Sequence, residues 1–282
     1  MRSLEDGGSC MEAVSVVIPT VWRPRLLQRA IMSIERQDYR GPIDVVVVTA
    51  NDQPAALQTI QKIVDNAKVR CSLRVVVLDA ERVADNPQLA IYRWSRVAYL
   101  RNIGVTTVQG KYVAHLDDDN EYLPTHLSSL VEVLERVPEL PAAHSWRHLL
   151  WKDGSPFTEN LYPWLKQPER ARARYIFDEL IHYGVFQRDS CEMRDRYTTP
   201  MGEQLLTIDS SEWLIRRSFH SQFPFRERLH FRELSHALTD DYLFCQHLAD
   251  SGVRIGCSEQ FTLNYYLSGR TALWLREARR DA

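Results

Sequence analysis

Residues 112–127 read YVAHLDDDNEYLPTHL. Tyr112 to Leu116 is a short, largely apolar run of the kind that fills a strand covered on both faces. Asp117, Asp118 and Asp119 follow it with no spacer, then Asn120, and Pro124 opens a helical stretch that runs to about Arg136. A strand ending in adjacent carboxylates must hold them against mutual repulsion unless something positive sits there. A hard divalent cation, Mn2+ or Mg2+, meets that demand, because it prefers oxygen ligands and shares them with substrate phosphates. The competing reading is a set of solvated acids that helps cap the next helix near its positive end. The choice turns on where the strand lies.

Upstream, Val14 to Ile18 (VSVVI), Asp44 to Val48 (DVVVV) and Arg74 to Leu78 (RVVVL) are three more buried-strand runs. Helical stretches separate them. RPRLLQRAIMSIERQ carries Leu26, Leu27, Ala30, Ile31 and Ile34 on one face, residues 55–67 form a second stretch, and Arg96 to Val108 form a third. Strand and helix alternating in this order predict an α/β fold with a mostly parallel sheet and helices on both faces. Ligands of such sheets bind at the carboxyl ends of the strands. Three segments project there: Pro19 to Arg23, Thr49 to Asp52, and Asp117 to Asn120. In that setting the acidic triplet reads as a metal and phosphate site.

The second half is less regular. Residues 143–151 (AHSWRHLLW) read as a strand, and residues 152–205, rich in Pro, Arg, Tyr and Trp, as an insertion or lid. Ile208 to Phe219 alternates apolar and polar residues, and Val253 to Cys257 reads as a final strand. Thr239 is an N-cap for a helix that ends at Gly252. That helix begins Asp240-Asp241, and either acid could cap it or face the metal site from across the cleft as a general base. Arg96 and Arg101 lie on the helix before the fourth strand, five residues apart, so at least one reaches the sheet edge, where a guanidinium binds phosphate oxygens in pairs. Exposed arginines on a solvated helix are the alternative.

Composition narrows the field. The chain has 282 residues, 44% hydrophobic and 26% charged, as a soluble globular protein has. Its net charge of −2 argues against broad capture of nucleic acid. Cys10, Cys71, Cys191, Cys245 and Cys257 are scattered, with no Cys-x-x-Cys, which disfavours a disulfide framework or zinc site. The opening MRSLEDGGSC is no secretory signal, and no run approaches the roughly 18 apolar residues of a membrane span. Residues 1–12 are expected to be a disordered leader and the protein cytoplasmic. The tail TALWLREARR (271–280) has the pattern of a basic amphipathic helix, which would allow weak, peripheral contact with a membrane surface; a helix packed on the protein's own body is the favoured alternative. There is no G-x-G-x-x-G after the first strand, no Walker loop and no G-x-S-x-G. His220, His230 and His236 read as surface or lobe residues, and Trp146, Trp151 and Trp164 as mostly core.

The ordered set VSVVIPT, DVVVV, RNIG, YVAHLDDDNEYLPTHL and TDDYLF resembles the inverting GT-A glycosyltransferases of family 2, of the spore-coat polysaccharide type. The likeness covers residues 14–137 well and 207–257 loosely. It implies a Rossmann-like, nucleotide-diphospho-sugar transferase fold. Residues 13–142 would be the nucleotide-sugar-binding half, 143–270 the acceptor-binding half, and 271–282 a tail helix. By the same resemblance Pro19, Thr20 and Arg23 lie near base and phosphates, and Arg96 is the donor-site arginine. Asp118 touches the ribose, Asp119 binds the metal, and Asp117 is a weaker metal candidate. Asp241 is the catalytic base, Asp240 standing where the family has Glu, with Asp240 or Asp209 as alternatives for the base. Where the family has Asp-Asp after the second strand, this chain has Thr49-Ala50, with Asp52 displaced along the loop. The donor is therefore a UDP-sugar by preference, with dTDP- and GDP-sugars open and the acceptor unassigned. A sugar-nucleotide pyrophosphorylase would need a Gly-rich loop where PTVWRP stands. An inactive nucleotide- or glycan-binding relative is the remaining rival. One or two of the tryptophans could stack on a sugar ring.

Overall fold

The computed structural model describes residues 11–20, 23–50, 53–67, 71–78, 93–165, 169–228 and 238–267. Asp52, His230, His236, the first ten residues and the tail from 268 onward lie outside them.

β1 (Val14–Thr20) is buried along its whole length, which its apolar run dictates. It pairs in parallel with β2 (Ile43–Thr49) on one side and β4 (Tyr112–His115) on the other, and β2 pairs with β3 (Ser72–Val77). α1 (Pro24–Glu35), α2 (Pro54–Asn66) and α3 (Arg93–Thr107) make the crossovers. α1 turns Leu27, Ala30, Ile31 and Ile34 onto the sheet, and α3 covers the other face through Leu100 and Val105 against Val17, Val46 and Val113. The chain leaves β1 toward β2 and β3, then returns to β1's other edge as β4. That reversal opens a crevice at the carboxyl ends of β1 and β4, where Thr20 and Asp117 stand.

From β4 onward the sheet is mixed. Its full order is β3-β2-β1-β4-β8-β6-β9-β5. β8 (Trp213–Arg216) lies antiparallel between β4 and β6 (Ala142–Trp151). β9 (Gly256–Leu267) runs parallel to β6 and antiparallel to β5 (Glu121–Tyr122). The parallel order expected from the sequence holds for the first four strands. The last strand extends ten residues past the expected end at Cys257. The sheet is continuous across position 142. α4 (His126–Arg136) joins the α1 face through Leu127, Leu130 and Leu134.

Residues 152–205 fold as a packed lobe. α5 (Arg170–His182) and β7 (Glu192–Met193), which pairs with β6, gather Phe157, Leu161, Phe177, Val185 and Phe186 over Leu149, Trp151 and Leu267. α6 (Arg217–His220) and α7 (Asp240–Asp250) complete the described elements. Thr239 caps α7, its hydroxyl accepting from the Tyr242 amide, and Gly252 at φ 67° leaves the helix in the left-handed region. The described cysteines are free. No described helix is long and apolar enough to cross a membrane.

Candidate active site

The acids of the triplet diverge as soon as the strand ends. Asp118 is fully buried, and the hydroxyl of Thr20, last residue of β1, donates to its Oδ2 at 2.5 Å. Arg23, the N-cap of α1, spans Asp118 and Asp119 with its two terminal nitrogens. Burial pushes the Asp118 carboxyl up to about 6, against the pull of Arg23 and Thr20. Asp119 is nearer the surface, its side chain 16% exposed, and its backbone oxygen accepts from Arg29 at 2.6 Å. Pro19 is buried in β1 and Thr49 in β2.

Asp117 turns the other way, toward Arg101. That guanidinium is 1% exposed and ion-pairs with both Asp117 and Asp240, while donating to the Ser210 hydroxyl at 2.5 Å. Arg101 is thus inside the protein, tying the β4 end to the head of α7, and in this position its charge is turned toward protein acids. The sequence reading set Arg101 with the donor-binding residues; here two carboxylates hold it in a low-dielectric setting. Arg96 is half-buried on α3 and is not among the described groups that meet the triplet.

The two acids of α7 separate by environment. Asp240 is 3% exposed, and burial pushes its carboxyl up to about 7 against the Arg101 charge. Asp241 is only half-buried, and its Oδ1 accepts from the Tyr242 amide at 2.8 Å. Its charge acts on Asp209 and Asp195 in the second half of the chain.

Asp209 opens a four-residue turn that sequence reading largely missed. Its carboxylate accepts from the Ser211 amide, while Glu212 reaches back to the Asp209 amide at 2.7 Å, a reciprocal cap on a single 3-10 turn. Ser211 then receives the Asp117 amide at 3.2 Å and the Asn120 side chain at 3.1 Å. One short turn therefore fixes both ends of the acidic loop. Its far side faces Arg147 of β6, 4% exposed, which pairs with Asp195 at 3.0 Å and Asp209 at 3.2 Å, with Glu212 at 3.8 Å. Three buried carboxylates share one guanidinium. Burial pushes Asp209 up to about 7, Asp195 to about 6 and Glu212 well above the usual carboxylate range. The string Asp209-Ser-Ser-Glu212 was the available signal, a D-x-x-E capping box just before a strand. Arg147, Asp195 and Arg29 carried none.

His220 is not a surface residue. It is 1% exposed, its Nδ1 donating to the Phe223 carbonyl at 3.2 Å, so its Nε2 accepts from His115 Nε2 at 2.8 Å beneath β4.

The site thus sets an acidic loop and an arginine-headed helix opposite a second carboxylate helix, at the carboxyl edge of a partly parallel sheet. A sequence model of the family described as "Glycosyl transferase family 2" matches residues 15–192, more than half of the chain, and the chain belongs to that family. A GalNAc(5)-diNAcBac-PP-undecaprenol beta-1,3-glucosyltransferase of Campylobacter jejuni subsp. jejuni serotype O:2 is 29% identical over 125 residues, which are 43% of this chain and 34% of that protein. The S. aureus TarS 1-349 structure matches with a TM-score of 0.56 at 16% identity, over 90% of this chain and 60% of that one. Mannosyltransferase PcManGT from Pyrobaculum calidifontis, in complex with GDP-Man and Mn2+, matches with a TM-score of 0.56 at 16% identity, over 94% and 60%. The matches span 34% of the glucosyltransferase and 60% of each of the two structures, and at such identities the two structures speak for the fold alone, which is GT-A.

Proposed function

We propose that this chain moves a sugar from a nucleoside diphosphate donor to an acceptor hydroxyl, with inversion at the anomeric carbon and a divalent cation at the donor. The observation that carries the reading is the Asp117–Asn120 loop held opposite Asp240-Asp241 by one buried arginine. TarS is also known in complex with UDP-GlcNAc, and PcManGT with GDP-Man. A nucleotide sugar, UDP-linked by preference, is the corresponding donor here.

The acids suit a hard cation. Among the described residues no three His, Cys, Asp or Glu side chains form a group that could hold a metal ion alone. Mn2+ and Mg2+ characteristically take one or two carboxylates and complete their shell with substrate phosphates. Arg23, 45% exposed, already sets a positive charge against Asp118 and Asp119, so the loop answers to cations. Asp119 would hold the metal, with Asp117 the weaker second because Arg101 engages it. When bound, the cation offsets charge on the departing diphosphate.

The remaining work falls to the chain's own groups. Asp118 and Thr20, locked together, would receive the ribose. Arg23 and the N-terminus of α1 would face the phosphates, where backbone amides and a guanidinium favour anions. Asp241 would take the acceptor hydroxyl's proton as that oxygen attacks from the face opposite the leaving group. This acid stands in the first turn of α7, half-buried, with its Oδ1 accepting from the Tyr242 amide.

A thermal-shift series tests the reading. UDP-, dTDP- and GDP-sugars are added with Mn2+, with Mg2+ and with EDTA. One nucleotide should raise the melting temperature in a metal-dependent way, since a ligand at 100 times its dissociation constant adds about 2.7 kcal/mol. Asp119→Ala should abolish the metal-dependent part. Stabilisation that persists undiminished in EDTA would sink the metal role, and no stabilisation by any nucleotide would sink the donor.

A further inference from the structure

Of the three tryptophans singled out in the sequence, the fold sets one apart. Trp151 is buried in the lobe core. Trp146 points to the other face of β6 from its neighbour Arg147, against Phe261 and Arg194. Trp164 is half-buried on the lobe and stands edge-on to two tyrosines: Tyr265, with ring centres 5.7 Å apart, and Tyr162, at 5.4 Å. Its indole nitrogen donates to the Tyr265 hydroxyl at 3.3 Å. The Arg147 guanidinium lies 5.1 Å from the Trp164 ring centre and 4.9 Å from that of Tyr265.

This aromatic wall adjoins the acidic loop. The amide of Tyr266, next to Tyr265, donates to the Asn120 side chain at 3.3 Å, and the Arg147 guanidinium beside the Trp164 and Tyr265 rings pairs with Asp209 at 3.2 Å. The wall therefore stands next to the loop of the proposed donor site and the turn that fastens it. We propose that Tyr162, Trp164 and Tyr265 form the surface on which the acceptor's sugar ring lies, and that this ring is uncharged. The inference rests on the glycosyl-transfer reading and specifies its second substrate.

The chemistry follows from what surrounds the wall. An aromatic face is electron-rich and attracts the weakly positive C–H face of a pyranose. An acid at the reaction centre, Asp241 in this reading, accepts a hydrogen bond from a sugar hydroxyl, whereas a phosphate set beside it is repelled. Arg147, the one cation in contact with the wall among the described residues, is buried and held by Asp195 and Asp209, so it offers an incoming anion no free countercharge. In the transfer, the acceptor oxygen forms its bond to the anomeric carbon as the bond to the diphosphate oxygen breaks. The leaving oxygen keeps the electron pair, and the hydroxyl proton passes to Asp241.

The test uses the full chain, the nucleotide sugar that stabilises it, and two sets of acceptors. One set is the p-nitrophenyl glycosides of glucose, N-acetylglucosamine and N-acetylgalactosamine; the other is the matching sugar 1-phosphates. At least one neutral glycoside should accelerate nucleotide release, and the phosphates should not. Trp164→Ala should raise the glycoside KM about tenfold while the rate at saturation stays near wild type, and Trp164→Phe should recover most of the loss. An unchanged thermal shift with the nucleotide in both variants reports an intact fold and donor site. The inference fails if the phosphates work as well as the glycosides, if Trp164→Ala keeps the wild-type KM, or if no glycoside acts on protein that binds the donor. Failure of every nucleotide sugar to stabilise the chain instead defeats the proposed function, and this inference with it.

Discussion

At the head of α7, Asp240 is ion-paired with the buried Arg101, whereas the half-buried Asp241 takes a hydrogen bond from its own helix. Neighbouring side chains on a helix diverge by about 100°, so a single turn can commit one acid to structure and leave the next for chemistry. The two should respond differently to mutation. Asp241→Asn keeps size and removes basicity, so kcat should fall by roughly 10²–10⁴ with nucleotide affinity nearly unchanged. Asp240→Ala strips a partner from a buried guanidinium, which costs roughly 3–5 kcal/mol, a melting-temperature loss on the order of 10 °C. Steady-state kinetics beside thermal melts on both variants separates these effects. Wild-type turnover in Asp241→Asn would move the base to Asp240 or Asp209.

Among the elements, α3 packs on β1 and β2 at Gly104, where no side chain stands between them. A Cβ there would meet Val17 Cγ1 at 2.3 Å and Val48 Cγ2 at 3.2 Å. Alanine normally favours a helix over glycine by about 1 kcal/mol, yet here overpacking should dominate. We expect Gly104→Ala to lose roughly 1–3 kcal/mol in urea unfolding, with part of it restored in the Val17→Ala background; an unchanged midpoint would mean that the helix moves away at no cost. β1, β2 and β4 were legible because strands buried on both faces are written as apolar runs. β9 was legible only at its start. Glu259 sits at φ 55° and the register with β6 shifts beside Trp146, so the two-residue alternation that marks a strand is reset within it. In the site, the triplet and the α7 acids stood out as adjacent charges. Arg147 and Asp195 did not, because their partnership is made by tertiary structure across 48 positions.

Across the whole molecule, two sets of buried groups pull stability in opposite directions with pH. Burial lowers His220 and His144 to about 4, His126 to about 3, and His115 well below its usual value. The unfolded chain binds protons at these sites near pH 6.5, so their contribution is lost as pH falls from about 6.5 toward 4. Burial raises Asp118 and Asp195 to about 6 and Asp209 and Asp240 to about 7. There the folded state binds protons that the unfolded state has released, so that contribution is lost as pH rises from about 4 toward 7. The windows overlap, and the melting temperature should vary little between pH 5 and 7. His220→Gln removes one member of the first set, so its melting temperature should climb toward acid relative to wild type. A steep acid loss in the wild type would mean that these carboxylates are ionised in the folded protein.

The clamp on the acidic loop also orders events during synthesis. Asn120 takes the Tyr266 amide, 146 positions later, and β5 pairs only with β9, the last described strand. At a translation rate of about 5–20 residues per second, Asn120 leaves the peptidyl centre roughly 7–30 s before its partner exists. A nascent chain stalled before residue 256 would hold the triplet by the Ser211 turn alone, without the Asn120–Tyr266 tie or the β5–β9 pairing, and nucleotide binding should reach full strength only once β9 has cleared the ribosome.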